Sequence, residues 1–468
     1  MPRINVYASA KSERCLGKSR LCQQSQRLET LTAVPCFAMR IVHLTPGTGS
    51  FHCGSCLRDN ALIKALRLRG HDAIMVPLYL PLVTDDEPAS PELDVRVGGI
   101  NLYVRERAPF LAKLLPARAK RFLNDGDRLR AASRKMGMTS AKDLGRMTLG
   151  SLRGHDGKQG AEWQGLVDWL AESDPQPDLV SLSNSLLAGL VPMIQDTLGC
   201  PVAISLQGED SFLDTLAPPY ATDCWELLSQ LARRTDILIS PSDYYATHMA
   251  ERLGVERSSV RVVPNGLDWK SYELGHDAPE REPCTIGYLA RMIHGKGLSH
   301  VVDAFLELHL RGSLPDLKLH IAGAQTDSDK PYLDSIRKQI DQAGASDRVR
   351  WSPNVSLEEK IRFLHQVTVF SIPAPSEYGE AFGLPIIEAM ACGAPVVQPD
   401  NGAYPEIIAA TGGGLTFPVD DTSALADQLE AVLTDKAKRD SLVTAGQAAT
   451  RQQFSSTAMA EAFELACS

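Results

Sequence analysis

The stretch Ser376–Pro395, SEYGEAFGLPIIEAMACGAP, carries the most information about the fold and the chemistry of this chain. A predicted strand ends just before it. A short helix is predicted over Pro385–Cys392, because proline is favourable in the first turn of a helix and Gly393 is typical of a helix end. This order leaves the backbone amides of Gly383 and Leu384 free at the positive end of the helix dipole, where they form a seat for an anion.

Two carboxylates flank this helix start. Glu380 lies in the loop before the helix, and Glu388 lies one turn inside it, where it can face the same ligand from the side. Carboxylates accept hydrogen bonds from hydroxyl groups, whereas a helix start binds phosphate. The stretch therefore suits a ligand with hydroxyl groups on both sides of a phosphate, and a nucleotide sugar is such a ligand.

Short apolar runs alternate with segments of helical periodicity over most of the chain. This alternation predicts parallel sheets with helices on both faces. The predicted strands are Ile41–Thr45, Ala73–Val76, Asn101–Val104, Leu179–Leu182, Val202–Leu206, Asp236–Ile239, Val260–Val263, Thr285–Leu289, Leu317–Ala322, Val349–Trp351, Val367–Ile372 and Pro395–Val397.

A turn at Pro264–Gly266 and a polar segment after it divide the chain into two halves of similar size. We expect an α/β fold of two doubly wound Rossmann-like domains facing across a cleft, where such folds bind ligands. The expected parts are a disordered N-terminal extension (1–38), an N-terminal domain (39–270), a C-terminal domain (271–440) and a helix packing back toward the N-terminal domain (441–468). The extension could instead be a transit peptide, or translation could begin at Met39.

The composition excludes several classes of protein. The 468 residues include 48 Lys and Arg against 57 Asp and Glu, a net charge of −9, which argues against a general nucleic-acid binder. No apolar run approaches the roughly 18 residues of a membrane span. The ten cysteines fit no disulfide framework, so we expect a reducing, cytoplasmic location.

The segment 105–135 has a local charge opposite to that of the chain. It contains ten Lys or Arg and three acidic residues, interleaved with leucine and phenylalanine. A solvated helix covering the sheet, a basic amphipathic helix on the inner face of a membrane, and a wall for an anionic acceptor all fit this pattern. Peripheral membrane contact is therefore one of three interpretations.

Several motifs, taken in order, are similar to those of one family. Glu380 and Glu388, separated by seven residues, resemble the paired-glutamate signature of the retaining glycosyltransferases of family 4, which have the GT-B fold. The resemblance extends over nearly everything from Met39 onward. The other matching segments are Ser240–Ser242, Leu253–Val255, Val262–Asp268, Gly287–Arg291, Lys296–Gly297 and Phe454–Ser456.

The resemblance implies a role for each charged residue of these motifs. Arg291 and Lys296 would neutralise the donor diphosphate, Glu388 would bind the ribose hydroxyls, and Glu380 would act at the reacting sugar. The alternative interpretation is an ordinary surface ion pair for the cations and helix-start or surface carboxylates for the acids. The implied activity is that of a hexosyltransferase that moves a sugar from a nucleotide-diphosphate sugar to a hydroxyl acceptor with retention, in polysaccharide or cell-envelope synthesis. Residues 39–270 would then bind the acceptor and 271–440 the donor.

Uncharged positions complete the implied donor site. The amides of Phe382, Gly383 and Leu384 would contact sugar or phosphate. The glycine-rich turn containing Gly47 and Gly49 would approach from the opposite domain, and Asn354 would lie near the base.

One position departs from the family pattern. Gln207 occupies the place where many members carry a histidine beside the transferring sugar. Glutamine donates and accepts hydrogen bonds but does not titrate. In a front-face retaining mechanism the leaving phosphate can take the acceptor proton, so the change is compatible with catalysis. It also leaves open a catalytically silent, sugar-nucleotide-binding homologue. A phosphorylase would need a pyridoxal-binding lysine site, which the sequence does not reveal.

Three further features have competing interpretations. Cys53 and Cys56 could form a redox pair, half a metal site or simply a lining of the cleft. Asp59 and Asn60 could contact acceptor hydroxyls. Asp327–Asp329 matches a cation-binding acidic pattern, but its place after a strand and before a helix favours a loop and helix cap. The family resemblance implies no essential metal and no other cofactor, and nothing in the sequence indicates the oligomeric state.

Overall fold

The computed structural model describes residues 38–47, 54–79, 89–90, 141–275 and 278–468, with only the backbone given for 141–143. Several predictions lie outside the described residues. They are the extension 1–38 except its last residue, the strand Asn101–Val104, the basic segment 105–135, Gly49 and Cys53.

The N-terminal half forms a parallel sheet of six strands among the described residues. Its order is β2-β1-β3-β4-β5-β6, so β1 pairs with strands on both sides, β2 and β3. The strands are β1 (Arg40–Thr45), β2 (Asp72–Pro77), β3 (Leu179–Leu182), β4 (Val202–Ser205), β5 (Ile237–Ser240) and β6 (Val260–Val262).

The C-terminal half repeats this architecture. Its described strands form a second parallel sheet with the order β12-β11-β10-β7-β8-β9. They are β7 (Thr285–Leu289), β8 (Lys318–Gly323), β9 (Val349–Pro353), β10 (Val369–Phe370), β11 (Val396–Pro399) and β12 (Gly414–Phe417). Most predicted strand bounds are correct to within one or two residues.

The helices of the described residues connect these strands and cover both faces of each sheet. They are α1 (Gly54–Leu68), α2 (Ala141–Leu152), α3 (Gly160–Ala171), α4 (Leu190–Leu198), α5 (Glu209–Leu213), α6 (Tyr220–Arg234), α7 (Asp243–Leu253), α8 (Leu298–Arg311), α9 (Lys330–Gln342), α10 (Leu357–Gln366), α11 (Leu384–Ala391), α12 (Tyr404–Thr411), α13 (Thr422–Thr434), α14 (Lys436–Gln453) and α15 (Ser456–Cys467).

Burial of both sheet faces explains why the strands read as continuous apolar runs. In β1, Ile41 packs into one core while Val42 and Leu44 pack into the core on the opposite face. A parallel sheet buried on both sides needs apolar residues at consecutive positions. The predicted α/β fold of two Rossmann-like domains is therefore confirmed.

The chain crosses back to the N-terminal domain later than predicted. Helix α14 packs against α11 and α12 of the C-terminal domain, and only α15 packs on α1, β5 and β6. The crossing lies at Phe454–Ser456, where Leu267 donates to the carbonyl of Phe454 (2.8 Å) and accepts from the amide of Ser456 (2.7 Å). Met459 and Phe463 then enter the N-terminal core. The predicted boundary at residue 441 is wrong because it divides a helix that lies wholly on the second sheet's side.

Within the described ranges, no helix is both long enough and apolar enough to cross a bilayer.

Candidate active site

The loop between β10 and α11 owes its shape to glycines in left-handed conformations. Gly383, with φ +84°, immediately precedes α11, and Pro385 occupies its first turn. Gly402, with φ +63°, lies so close to Glu380 that a Cβ there would be 2.5 Å from the Glu380 amide nitrogen. The neighbouring Ala403 amide donates to the Glu380 carbonyl (2.9 Å). These contacts fix the backbone of Glu380 before the helix begins.

A second close approach brings a cation to this loop. Lys296 ends a 3-10 turn after β7 and is followed by Gly297, with φ +68°. A Cβ at Gly297 would lie 1.8 Å from the carbonyl oxygen of Pro373, so the two loops pack together only with glycine there. The Lys296 Nζ and Glu380 Oε2 atoms are 2.5 Å apart. Their side chains are 35% and 19% exposed, which leaves both accessible to a ligand.

Arg291 lies in the same β7 loop with its side chain exposed. Its carbonyl oxygen accepts hydrogen bonds from the Ile293 amide (2.8 Å) and the Tyr288 hydroxyl (3.3 Å), which hold the backbone in place. Its guanidinium has no ion pair with any residue that the structure describes. The loop therefore presents one paired and one unpaired cation at the carboxyl edge of the second sheet, and both can form charge-assisted hydrogen bonds with an anionic ligand.

Glu388 is separate from these cations. It is 5% exposed, and its Oε1 accepts from the Tyr272 hydroxyl (2.6 Å) and lies 2.8 Å from Lys360 Nζ. The structure thus pairs Glu380 with Lys296, whereas Glu388 bonds to Tyr272 and Lys360, which lie outside the predicted motifs.

The loop before α11 faces the carboxyl edge of the first sheet. Ser242, at the end of β5, donates through its hydroxyl to the Ala381 carbonyl (2.7 Å). A Cβ at Gly208 would lie 3.8 Å from the Ala381 side chain, and one at Gly54 would lie 3.4 Å from Leu384. Glu380 and the start of α11 are therefore close to the gap between the two sheets.

Gln207 reaches this gap on the loop after β4. Its backbone amide donates to Glu209 Oε2 (2.6 Å), and its side-chain oxygen accepts from Asn265 (3.3 Å). Glu209 is buried, and burial raises the pKa of its carboxyl group. Its other oxygen accepts from the Ser185 amide (2.8 Å), so this unpredicted carboxylate ties two loops together and shapes the backbone that carries Gln207.

The structure does not support contact between Asp59 and an acceptor. Its carboxylate is fully buried, 2.7 Å from Arg58 and 3.2 Å from His43, and it accepts from the Ser183 hydroxyl (2.6 Å). Burial acts to raise the pKa of Asp59, but Arg58 and His43 outweigh it, and the pKa lies below its ordinary value. The prediction was wrong because partners on β1 and after β3 draw the side chain into the domain.

The structure also shows where four other residues that the sequence analysis singled out lie. Asn60 is buried, and its side-chain oxygen accepts from the Ala89 amide (2.7 Å). Cys56 is buried on α1, 3.7 Å from the hydroxyl of Thr45. Gly47, with φ +88°, follows β1 at the carboxyl edge of the first sheet. Asn354, with φ +55°, links β9 to the end of β8, because its side-chain oxygen accepts from the Gln325 amide (2.9 Å).

The acidic run Asp327–Asp329 is a helix cap, as predicted. Thr326 and Asp329 form a reciprocal capping box, and Asp327 pairs with Lys330 at 2.8 Å. Among the described residues, no group of three or more His, Cys, Asp and Glu side chains is placed to hold a metal ion.

Two family models match the chain, one for each domain. Residues 97–270 match the family described as Glycosyltransferase Family 4, and residues 276–449 match Glycosyl transferases group 1. Together the two matches cover most of the sequence and divide it at the turn between the sheets. Residues 97–270 and 276–449 of the chain therefore belong to these two glycosyltransferase families.

Curated relatives match only part of this chain. A phosphatidyl-myo-inositol mannosyltransferase of Mycobacterium tuberculosis is 32% identical over 221 residues, 46% of this chain and 54% of the relative. A D-inositol 3-phosphate glycosyltransferase of Corynebacterium jeikeium is 30% identical over 218 residues, 44% and 51% of the two chains. The lipopolysaccharide core biosynthesis mannosyltransferase LpsB of Rhizobium meliloti is 28% identical over 237 residues, 48% and 63%. The chain thus spans about half the length of the first two relatives.

Solved structures match over nearly the whole fold. HepE of Anabaena, in complex with UDP, superposes with a TM-score of 0.63 at 16% identity, covering 91% of this chain and 99% of the other. Sucrose-phosphate synthase of Thermosynechococcus elongatus superposes with a TM-score of 0.64 at 18% identity, covering 91% and 97%. At such identities the likeness establishes only the fold of the chain, which is the GT-B architecture.

Proposed function

We propose that this glycosyltransferase binds a nucleoside diphosphate sugar between its domains and transfers the sugar to a hydroxyl acceptor with retention of configuration. The observation that carries the proposal is the pairing of Lys296 with Glu380 at the start of α11, beside the unpaired Arg291. Two cations beside a helix N-terminus suit a diphosphate, and a carboxylate beside them suits sugar hydroxyls. The names of the relatives, which include sugar transferases, support the same activity.

The proposed reaction assigns each of these groups a task. The bond between the anomeric carbon and the diphosphate oxygen breaks while the acceptor oxygen bonds to the same face of the sugar. The departing phosphate oxygen takes the proton of the acceptor hydroxyl. Arg291, Lys296 and the amides at the start of α11 stabilise the negative charge that grows on the diphosphate. Glu380 holds the sugar ring, and Gln207 faces it from the opposite domain with a hydrogen-bonding, non-titrating side chain.

We infer that the acceptor belongs to the cell envelope. Two of the named relatives are a phosphatidyl-myo-inositol mannosyltransferase and a lipopolysaccharide core mannosyltransferase. A glycolipid or polysaccharide hydroxyl is thus the proposed acceptor class, with transfer taking place on the cytoplasmic side. Contact between the segment 105–135 and an anionic membrane stays a prediction.

Release of nucleoside diphosphate tests this proposal. The purified protein would be mixed with UDP-glucose, UDP-galactose, GDP-mannose or ADP-glucose and an envelope glycolipid extract, and NMR would determine the anomeric configuration of the product. We expect release with one donor, a retained configuration, and loss of release in Glu380→Gln. The control Lys436→Ala removes an exposed lysine that pairs only within α14. Nucleotide binding without turnover of any donor would contradict transfer and support a silent homologue. An inverted product would contradict the retaining mechanism alone.

A further inference from the structure

The two oxygens of Glu388 have different surroundings. Oε1 accepts from the hydroxyl of Tyr272 (2.6 Å) and from the ammonium group of Lys360 (2.8 Å). Oε2 accepts no hydrogen bond from the residues that the structure describes. One oxygen is therefore doubly bound and the other is available.

The available oxygen belongs to a side chain that lines a cavity between the domains. Arg58 and Asn60 of α1 line this cavity from the N-terminal domain, and Ser271 and Tyr272 line it from the interdomain linker. Glu388 and Leu384 contribute from α11. The carboxylate thus faces a space between α1 and α11, beside the start of α11.

The two donors on Oε1 are also largely enclosed. Tyr272 is 7% exposed, and the side chain of Lys360 is 15% exposed. The Lys360 ammonium lies 5.7 Å from the centre of the Tyr272 ring, so the three groups contact one another. Burial raises the pKa of Tyr272, and the neighbouring Glu388 raises it further, so the phenol keeps its proton and remains a donor.

We propose that Lys360 and Tyr272 are positioning residues that hold Glu388 by Oε1 and so reserve Oε2 for the ribose hydroxyls of the donor. The inference rests on the proposed function, because it assumes that a nucleotide occupies the gap. A carboxylate fixed by two donors keeps one orientation. It therefore discriminates between ligands with and without a hydroxyl group more strongly than a mobile carboxylate does. A site built in this way discriminates against a ligand that lacks the hydroxyl, because its acceptor is then left unpaired.

The test compares ribose with deoxyribose nucleotides. Dissociation constants of UDP, GDP and ADP and of their 2′-deoxy and 3′-deoxy forms would be measured by calorimetry. For the nucleotide that binds, we expect the wild-type protein to prefer the ribose form over at least one deoxy form by roughly 10- to 100-fold, the range for a hydrogen bond to a charged group. We expect Lys360→Met and Tyr272→Phe to reduce this preference several-fold, and Lys360→Arg to keep most of it.

Two further variants separate positioning from folding. Lys330→Met is the matched control, because Lys330 is exposed and, among the residues that the structure describes, forms an ion pair only with Asp327 in the C-terminal domain. It should leave the preference unchanged. Should Lys360→Met fail to fold because it leaves a buried charge unpaired, the double variant Lys360→Met with Glu388→Gln removes both charges. We expect that variant to fold and to bind ribose and deoxyribose forms equally.

The outcomes distinguish the inference from the proposed function. Failure of the wild-type protein to bind any of the nucleotides would overturn both. Loss of the ribose preference in Glu388→Gln, but not in Lys360→Met or Tyr272→Phe, would overturn the positioning role and leave the proposed function intact. An unchanged preference in Glu388→Gln would overturn the ribose role of Glu388 and, with it, this inference. If nucleotide binding still depended on Lys296 in that case, the proposed diphosphate site would remain supported.

Discussion

At the scale of single residues, the ion pair between Lys296 and Glu380 places a cation and a carboxylate side by side in the candidate site. The lysine compensates the carboxylate in the free protein, and it can also bind a phosphate oxygen, because its ammonium group has three donors. The pair is partly exposed, so it contributes about 1 kcal/mol or less to stability. Its value lies in fixing both side chains before a ligand arrives.

Removing the lysine should therefore weaken binding more than folding. In Lys296→Ala we expect the dissociation constant of the nucleoside diphosphate to rise about 10- to 100-fold, since hydrogen bonds to charged groups are worth roughly 1.5–3 kcal/mol. The melting temperature should change little. Calorimetry and thermal denaturation measure the two effects, with Lys436→Ala as the control. A large loss of stability without loss of affinity would show that the lysine is merely structural.

Asp59 is the opposite case, because its buried charge is expected to stabilise the fold and does not contact an acceptor as predicted. Replacing it in Asp59→Asn leaves the buried Arg58 without its counter-charge, and breaking a buried pair costs roughly 3–5 kcal/mol. Urea denaturation should show this loss. Asp72→Asn is the control, because Asp72 is 55% exposed and pairs with Arg40, and its loss should cost about 1 kcal/mol or less. Similar losses in the two variants would contradict the account.

The same residue has a pH signature. The folded state lowers the pKa of Asp59 below the ordinary 3.8, so its ionised form stabilises the fold above that pH. This contribution is lost as the pH falls through the ordinary value toward the lowered one. We expect the difference in unfolding free energy between wild type and Asp59→Asn to narrow below about pH 4. A difference that widens on acidification would contradict the sign.

At the scale of elements, the start of α11 depends on Gly383. A Cβ at this position would meet the ring of Tyr404 at 2.7 Å and would impose a left-handed conformation on a non-glycine residue, which costs roughly 1–2 kcal/mol. We expect Gly383→Ala to shift the helix start, with a loss of nucleotide binding and at least 2 kcal/mol of stability.

Gly344→Ala provides the matched control for this substitution. Gly344 has φ +68°, but no atom lies within 4 Å of the added Cβ, so only the conformational cost of roughly 1–2 kcal/mol applies. Binding should survive there. Equal loss of binding in both variants would show that the close packing against Tyr404 is not what positions the helix.

The element scale also shows how far sequence reasoning extends. Strand–loop–helix order, the helix end near Gly393 and both glutamates of the α11 region could be predicted, because they lie within one continuous stretch. The partners of those glutamates could not, since Tyr272 and Lys360 reach Glu388 from 116 and 28 residues away. Asp59 was misjudged for the same reason, because its partner Ser183 lies 124 residues along the chain.

At the scale of the whole molecule, Glu406 joins the two domains. Its carboxylate accepts from the amides of Asp243 and Tyr244, both at 3.1 Å, at the start of α7 in the other domain. A negative charge is favourable at a helix N-terminus. The contact lies beside the hydrogen bond from the Ser242 hydroxyl to the Ala381 carbonyl. Two contacts between the domains therefore lie together at one edge of the gap.

Weakening this contact should change the balance between open and closed forms. In Glu406→Gln we expect a larger radius of gyration by small-angle X-ray scattering in the absence of nucleotide, and a return toward the wild-type value when nucleotide is added. Glu307→Gln is the control, because the side chain of Glu307 bonds to Arg311 and Ser423, which both lie within the C-terminal domain. An unchanged radius in Glu406→Gln would contradict the role of Glu406 in closure.

The central claim is that the pyrophosphate of a sugar nucleotide binds where the second sheet's cations meet the start of α11. A crystal structure of the protein with the nucleoside diphosphate that binds most tightly tests it most directly. The account predicts phosphate oxygens within hydrogen-bonding distance of Lys296 and Arg291, and a ribose hydroxyl on Glu388 Oε2. Phosphates bound away from these groups, with the Lys296–Glu380 pair and Glu388 Oε2 untouched, would contradict it.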